Sequence, residues 1–90
     1  MGRMNVAQTK QFKKDVKRMR KRGKDLEKVK AVIDLLVAEE PLLPKNRDHK
    51  LGGNWIGRRD CHVEPDWILI YKLTEDELLL ERTGTHADLF

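Results

Sequence analysis

The sequence predicts an α+β domain: a two-helix hairpin packed on a four-stranded sheet whose last three strands form an antiparallel meander. Three observations carry this prediction. Apolar residues recur at helical spacing up to about residue 37, they alternate in steps of two from about residue 55, and a stretch rich in Pro, Gly, Asn, Asp and Lys separates the two regimes. Ninety residues support one core, so residues 1–90 read as a single domain.

Phe12, Val16 and Met19 fall at i, i+4 and i+7 and form a narrow apolar stripe on a basic helix, with Thr9 as N-cap and Gly23 as its stop. Asp25 can cap a second helix in which Leu26, Val29, Ile33, Leu36 and Val37 share a face, and Pro41 bars its extension. Arg3 to Thr9 reads as a short first strand. Residues 41–54 read as an ordered loop containing His49. Strands are expected over Trp55–Val63, Trp67–Leu73 and Glu77–Thr83, joined by turns at Glu64-Pro65-Asp66 and Thr74-Glu75-Asp76. Alternation sends Ile68 and Ile70 to one face and Trp67, Leu69 and Tyr71 to the other. It groups Arg58, Asp60 and His62, and, separately, Leu78, Leu80 and Arg82. One sheet face should meet the helices and the other stay partly wet, open for chemistry.

Charge is strongly asymmetric. Residues 1–30 hold twelve Lys and Arg against three acids, a net of +9, and the remaining sixty residues carry a net of −5, giving +4 in total. The basic face formed by Lys10, Lys13, Lys14, Lys17, Arg18, Lys21 and Arg22 suits a polyanion such as RNA, although such a face can also be merely solvated. No apolar run approaches the roughly 20 residues of a membrane span, and the N-terminus has no signal-peptide segment, so a cytoplasmic protein with no membrane partner is expected. The lone Cys61 lies in a strand and reads as a buried structural residue.

Three histidines, His49, His62 and His86, lie in the loop, in a strand and near the C-terminus, where folding could gather them. Imidazoles suit acid and base work at neutral pH, and RNA cleavage needs one group to take the 2′-hydroxyl proton and another to protonate the leaving 5′-oxygen. Arg82 could hold phosphate oxygens bidentately. On composition alone each histidine is more readily a surface or structural residue than a catalyst. There is no H-x-x-x-H, C-x-x-C or H-E-x-x-H spacing, so neither a metal site nor a cofactor is expected.

The stretch from Asp60 to Leu73, DCHVEPDWILIYKL, and the stretch from Glu81 to Phe90, ERTGTHADLF, closely resemble the YafQ branch of the RelE-type toxins. The likeness extends through Asp48-His49-Lys50-Leu51 and Gly53-Asn54-Trp55 and, more loosely, through both helices. The departures are Cys61, where the branch has a small apolar residue, and a chain that stops at Phe90. The resemblance implies a helix hairpin on a four-stranded, mostly antiparallel sheet. It implies a ribosome-dependent endoribonuclease that cuts mRNA in the A site by metal-independent acid–base catalysis. The implied catalytic residues are His49, His62, Asp66, Arg82 and His86: His86 as general acid, His49 or His62 as base, Arg82 as phosphate clamp, and Asp66 orienting an imidazole or touching RNA. Trp67 and Phe90 would shape a nucleotide pocket. The implied partners are mRNA, the ribosome with its ribosomal RNA, a DinJ-like ribbon-helix-helix antitoxin, and operator DNA through the antitoxin complex. The competing readings are a noncatalytic RNA- or ribosome-binding module and a domain that only binds an antitoxin.

Overall fold

The computed structural model describes residues 4–90; Arg3, an expected member of the first strand and one of the twelve basic residues near the N-terminus, lies outside them. The chain runs β1 (Asn5–Gln8), α1 (Lys10–Lys21), α2 (Leu26–Val37), β2 (His49–Lys50), β3 (Arg59–Glu64), β4 (Trp67–Leu73), β5 (Glu77–Gly84) and α3 (His86–Leu89). Single 3₁₀ turns occupy Pro44–Asn46 and Gly53–Trp55. The sheet order is β1-β5-β4-β3-β2, with β1 parallel to β5 and every other pair antiparallel. The fifth strand, the two-residue β2, comes from the segment that reads as loop in the sequence.

Helix boundaries follow the expected chemistry. The Thr9 hydroxyl accepts the Phe12 N–H at 2.9 Å and so caps α1. Gly23, at φ 84°, takes the left-handed conformation that turns the chain into α2. Asp25 caps α2 through the Glu27 N–H. Pro41 is not what ends α2. The helix stops at Val37, and Glu39 carries the left-handed turn at φ 57°.

Trp55 begins no strand: it belongs to a 3₁₀ turn, and β3 starts only at Arg59. The reason is local, since Gly53 and Gly57 both sit at positive φ and coil the chain before it can extend.

Side-chain alternation in β4 separates two cores. Trp67, Leu69 and Tyr71 meet Phe12, Met19, Val29, Val32 and Leu36 of the helices, together with Cys61, Leu78 and Leu80. Ile68 and Ile70 point away from the helices and are covered by Leu89 of α3, with Leu51 and Trp55 at the margin. The opposite face is therefore less wet than alternation suggests. Cys61 is fully buried, and burial pushes its thiol up to about 12, which fits the structural reading.

A bulge in β5 changes one side-chain assignment. Leu80 pairs with Tyr71 but Arg82 pairs with Ile70, so Glu81 is the extra residue and the alternation flips. Arg82 thus stands on the Ile70 face with Asp60 and His62, not with Leu78 and Leu80. Its guanidinium meets Asp15 of α1, with Nε 2.8 Å and Nη2 3.2 Å from the two carboxylate oxygens. Asp15 is fully buried and also accepts from Gln11, from the Thr83 N–H and, as an ion pair, from Arg18. Burial opposes its ionisation, but the hydrogen bonds from Arg82, Gln11 and Thr83 outweigh burial and hold the carboxyl below its ordinary value.

Asp15→Ala should destabilise the fold by about 2–4 kcal/mol in urea unfolding, somewhat less than a wholly buried pair would lose, because Arg82 keeps some solvent access. The depressed carboxyl also sets an acid limit. Its contribution is complete above roughly pH 4 and is lost as the pH falls through the folded value. The variant should therefore show a flatter decline of stability at acid pH than the parent.

Candidate active site

Each histidine has its own anchor. His49 begins β2, beside a loop pinned by Asp48, which binds Arg59 at 2.8 Å and accepts the Tyr71 hydroxyl. His62 lies in β3, facing the same way as Ile68 and Asp60. His86 opens α3, where the Thr85 hydroxyl accepts the Asp88 N–H and Asp88 accepts the Thr85 N–H, a reciprocal cap. Arg22 reinforces this cap by gripping Asp88 at 2.7 and 3.0 Å, holding that carboxyl well below the usual range. Gly84 allows the close approach: a side chain there would lie 2.9 Å from Arg18 and from Asp88.

The three rings share a polarity. Nδ1 of His49 is 2.8 Å from the Arg47 carbonyl, Nδ1 of His62 is 3.1 Å from the Pro65 carbonyl, and Nδ1 of His86 is 2.7 Å from Asp66. Carbonyl and ionised carboxylate oxygens only accept, so each Nδ1 carries a proton and each Nε2 is left without a hydrogen bond among the described residues. His62 and His86 have ring centroids 5.7 Å apart, and the exposed Phe90 ring lies 6.3 Å beyond His86. Asp66 accepts from both the backbone N–H and the side chain of His86, and these two bonds pull its carboxyl below the ordinary value.

Asp60 is not among the site residues expected from the sequence, yet it lies under the cluster. It is 4% exposed, and Oδ1 lies 3.0 Å from His49 Nδ1 without a hydrogen-bond partner of its own. Burial raises its carboxyl, and the positive charge available on His49, His62 and His86 pulls it part of the way back. The alternating strand that puts Asp60 beside His62 holds the signal, but not the depth of its burial.

Three expectations change with the structure: those for Trp67, for Arg18 and Arg22, and for Arg82. Trp67 is 0% exposed on the helix side, where its indole N–H donates to Thr83 at 2.8 Å, so it offers no face to a nucleotide and supports the site from beneath. Arg18 and Arg22 are engaged: Arg18 with Asp15 and the Thr83 carbonyl, Arg22 with Asp88. Lys10, Lys13, Lys14, Lys17 and Lys21 remain exposed on α1. The Arg82 fork is partly occupied, because the Nε/Nη2 edge is taken up by Asp15 and the Nη1 edge is what remains. Among the described residues, no group of three or more His, Cys, Asp or Glu is disposed to hold a metal ion.

A family described as "Bacterial toxin of type II toxin-antitoxin system, YafQ" matches residues 4–90. The chain belongs to the YafQ toxin family. The mRNA interferase toxin YafQ of Escherichia coli strain K12 is 57% identical over 81 residues, spanning 89% of this chain and 88% of the relative. The crystal structure of YafQ from E. coli strain BL21(DE3) superposes with a TM-score of 0.93 at 51% identity, covering 97% of this chain and 98% of that one. The toxin in the crystal structure of the E. coli DinJ-YafQ toxin-antitoxin complex superposes with a TM-score of 0.92 at 52% identity, covering 98% of each chain. The fold of this YafQ family member is therefore the one its resemblance implied, with the short β2 added at the sheet edge. No helix is long and apolar enough to cross a membrane among the described residues.

The raised carboxyl of Asp60 predicts a trade-off. A carboxyl whose folded pKa is raised destabilises the fold at pH values above that pKa, and the penalty fades as pH falls through it. Asp60→Asn should raise the thermal midpoint at pH 7, with the gain shrinking on acidification, and should shift the His49 ring resonances in NMR. An unchanged midpoint at pH 7 would show that the carboxylate is already compensated.

Proposed function

We propose that this chain is an mRNA interferase, the toxin of a type II toxin-antitoxin pair, and that it cuts mRNA in the ribosomal A site. The observation that carries the reading is the pairing of His62 and His86 at 5.7 Å, both presenting Nε2, on the same sheet face as Arg82. The 57% identity to a protein named mRNA interferase toxin YafQ supports it. The cytoplasm, where ribosomes and mRNA are found, is the proposed location.

The chemistry follows from the roles available. A bare imidazole Nε2, from His62 or from His49 over Asp60, takes the proton of the RNA 2′-hydroxyl. The resulting oxyanion attacks the adjacent phosphorus and the 5′-oxygen departs, leaving a 2′,3′-cyclic phosphate upstream. His86, protonated on both nitrogens and held by Asp66, gives the leaving oxygen its proton. The Nη1 edge of Arg82 neutralises charge building on the phosphate. Phe90, 61% exposed beside His86, provides an aromatic surface for a base. No step is assigned to a metal ion or cofactor.

The lysines of α1 support contact with ribosomal RNA, where exposed cations gain by releasing counterions. A ribbon-helix-helix antitoxin of the DinJ kind would cover the toxin, and that complex would bring it to operator DNA. The likeness to the toxin of the E. coli DinJ-YafQ complex supports the first of these partners. The deciding experiment is controlled expression in growing cells with mapping of mRNA ends. Translation-dependent cuts support the reading, whereas growth arrest without cuts favours a noncatalytic ribosome-binding module.

His86→Ala should abolish cleavage, a loss of at least about 10²-fold for a general acid, with an unchanged circular dichroism spectrum because the ring is exposed. Arg82→Ala should also abolish cleavage, but it will not leave the fold untouched. It strips Asp15 of its principal partner, so a lowered urea midpoint should accompany the lost activity. Cleavage of a model RNA by wild-type protein should survive EDTA. Activity lost to the chelator and restored by a divalent metal would contradict the metal-independent scheme.

A further inference from the structure

Lys45 and Arg47 flank the histidine cleft in a position that the proposed chemistry leaves unused. A groove of about 290 Å³ is lined by Lys45, Arg47, His62 and Pro65. A second groove of about 560 Å³ shares Lys45 and runs past Asp66 and Thr85 toward Lys24 and Lys28. Glu64 neutralises both of those far lysines, at 2.9 and 2.7 Å. Lys45 and Arg47 enter no ion pair among the described residues.

The intervening residue fixes them in place. Asn46 is buried, donates to the His62 carbonyl at 2.7 Å and accepts the Leu43 N–H at 3.1 Å. The loop therefore cannot drift relative to His62. Arg47 follows at φ 45° and ψ 48°, a left-handed conformation that a residue with a side chain adopts only under strain. That strained turn carries the Arg47 side chain to the groove and points its carbonyl at His49.

We propose that Lys45 and Arg47 form an RNA-backbone subsite that holds phosphates of the single strand beside the scissile bond. Two unpaired cations at the wall of a cleft containing His62 fit a phosphodiester chain, whereas the α1 lysines line neither groove. The proposal rests on the ribonuclease reading. It assigns substrate alignment to the 44–47 loop and leaves the α1 lysines for the ribosome.

The test uses the full chain with programmed ribosomes whose mRNA carries a photoreactive nucleotide next to the cut position. In cleavage-inactive His86→Ala protein, crosslinks should map to the peptide containing Lys45 and Arg47. In otherwise wild-type protein, Lys45→Gln combined with Arg47→Gln should raise the toxin concentration for half-maximal cleavage about tenfold and leave the plateau rate unchanged, the mark of lost uniform binding. Both side chains are exposed, so the thermal midpoint should not move. Crosslinks only to other segments, no crosslinks at all, or an unchanged half-maximal concentration would each overturn the subsite. Wild-type protein is assayed alongside. If it makes no cuts, the ribonuclease reading fails by itself, while the crosslink map still decides whether the loop meets RNA.

Discussion

The buried Asp15 carboxylate is the junction on which the remaining architecture depends. Removing a carboxylate from water must be offset by hydrogen bonds and positive charge, and Asp15 collects them from both layers of the fold. Gln11 and Arg18 come from its own helix, and Arg82 and the Thr83 N–H from β5. The consequences propagate. The Thr83 hydroxyl donates to the Ile68 carbonyl and accepts the Trp67 indole N–H, so one contact fixes the seating of α1, the end of β5 and the buried tryptophan together. It also sets which edge of Arg82 is left unoccupied. Helix packing and the orientation of Arg82 are one problem in this protein.

A second constraint is geometric. The bulge at Glu81 places Arg82 across from Ile70, and Glu81 itself meets Arg58 at 2.8 Å. Without the extra residue, Arg82 would alternate into the helix-facing core with Leu78 and Leu80. The bulge therefore gathers Arg82, Asp60 and His62 on one surface, and α3 completes it by folding His86 back while Leu89 covers Ile68 and Ile70. Asp60 then sits beneath the imidazoles as a buried carboxyl whose ionisation burial opposes. The left-handed Arg47 lies at the wall of the same cleft.

Much of this is legible in the residues. Thr9, Gly23 and Asp25 mark the helix ends because capping is local chemistry, and the alternation through Trp67–Tyr71 sorts β4 correctly between the two cores. What escapes depends on partners distant in sequence. A bulge has no signature in a run such as Leu-Leu-Leu-Glu-Arg, so simple alternation puts Arg82 on the wrong face. Trp55 reads as a strand residue until Gly53 and Gly57 prove to be turning the chain. The family role that suggests Trp67 for the pocket says nothing about depth, and the structure buries it against Thr83. The short α3 is readable after all: Thr85-His86-Ala87-Asp88 has the spacing of a capping box, and the cap is formed. The Asn46 latch is invisible in the sequence, since its partner is a backbone carbonyl sixteen residues away.

The central claim is that histidines move the protons of the reaction, with the RNA's own 2′-hydroxyl as nucleophile. The chemical nature of the cut ends tests this most directly. Upstream fragments produced by the purified protein on programmed ribosomes should end in a 2′,3′-cyclic phosphate or its 3′-phosphate hydrolysis product, with a 5′-hydroxyl on the downstream partner. Upstream fragments ending in a free 3′-hydroxyl would mean that water attacked from the other side, and the roles assigned to His62, His86 and Arg82 would be wrong.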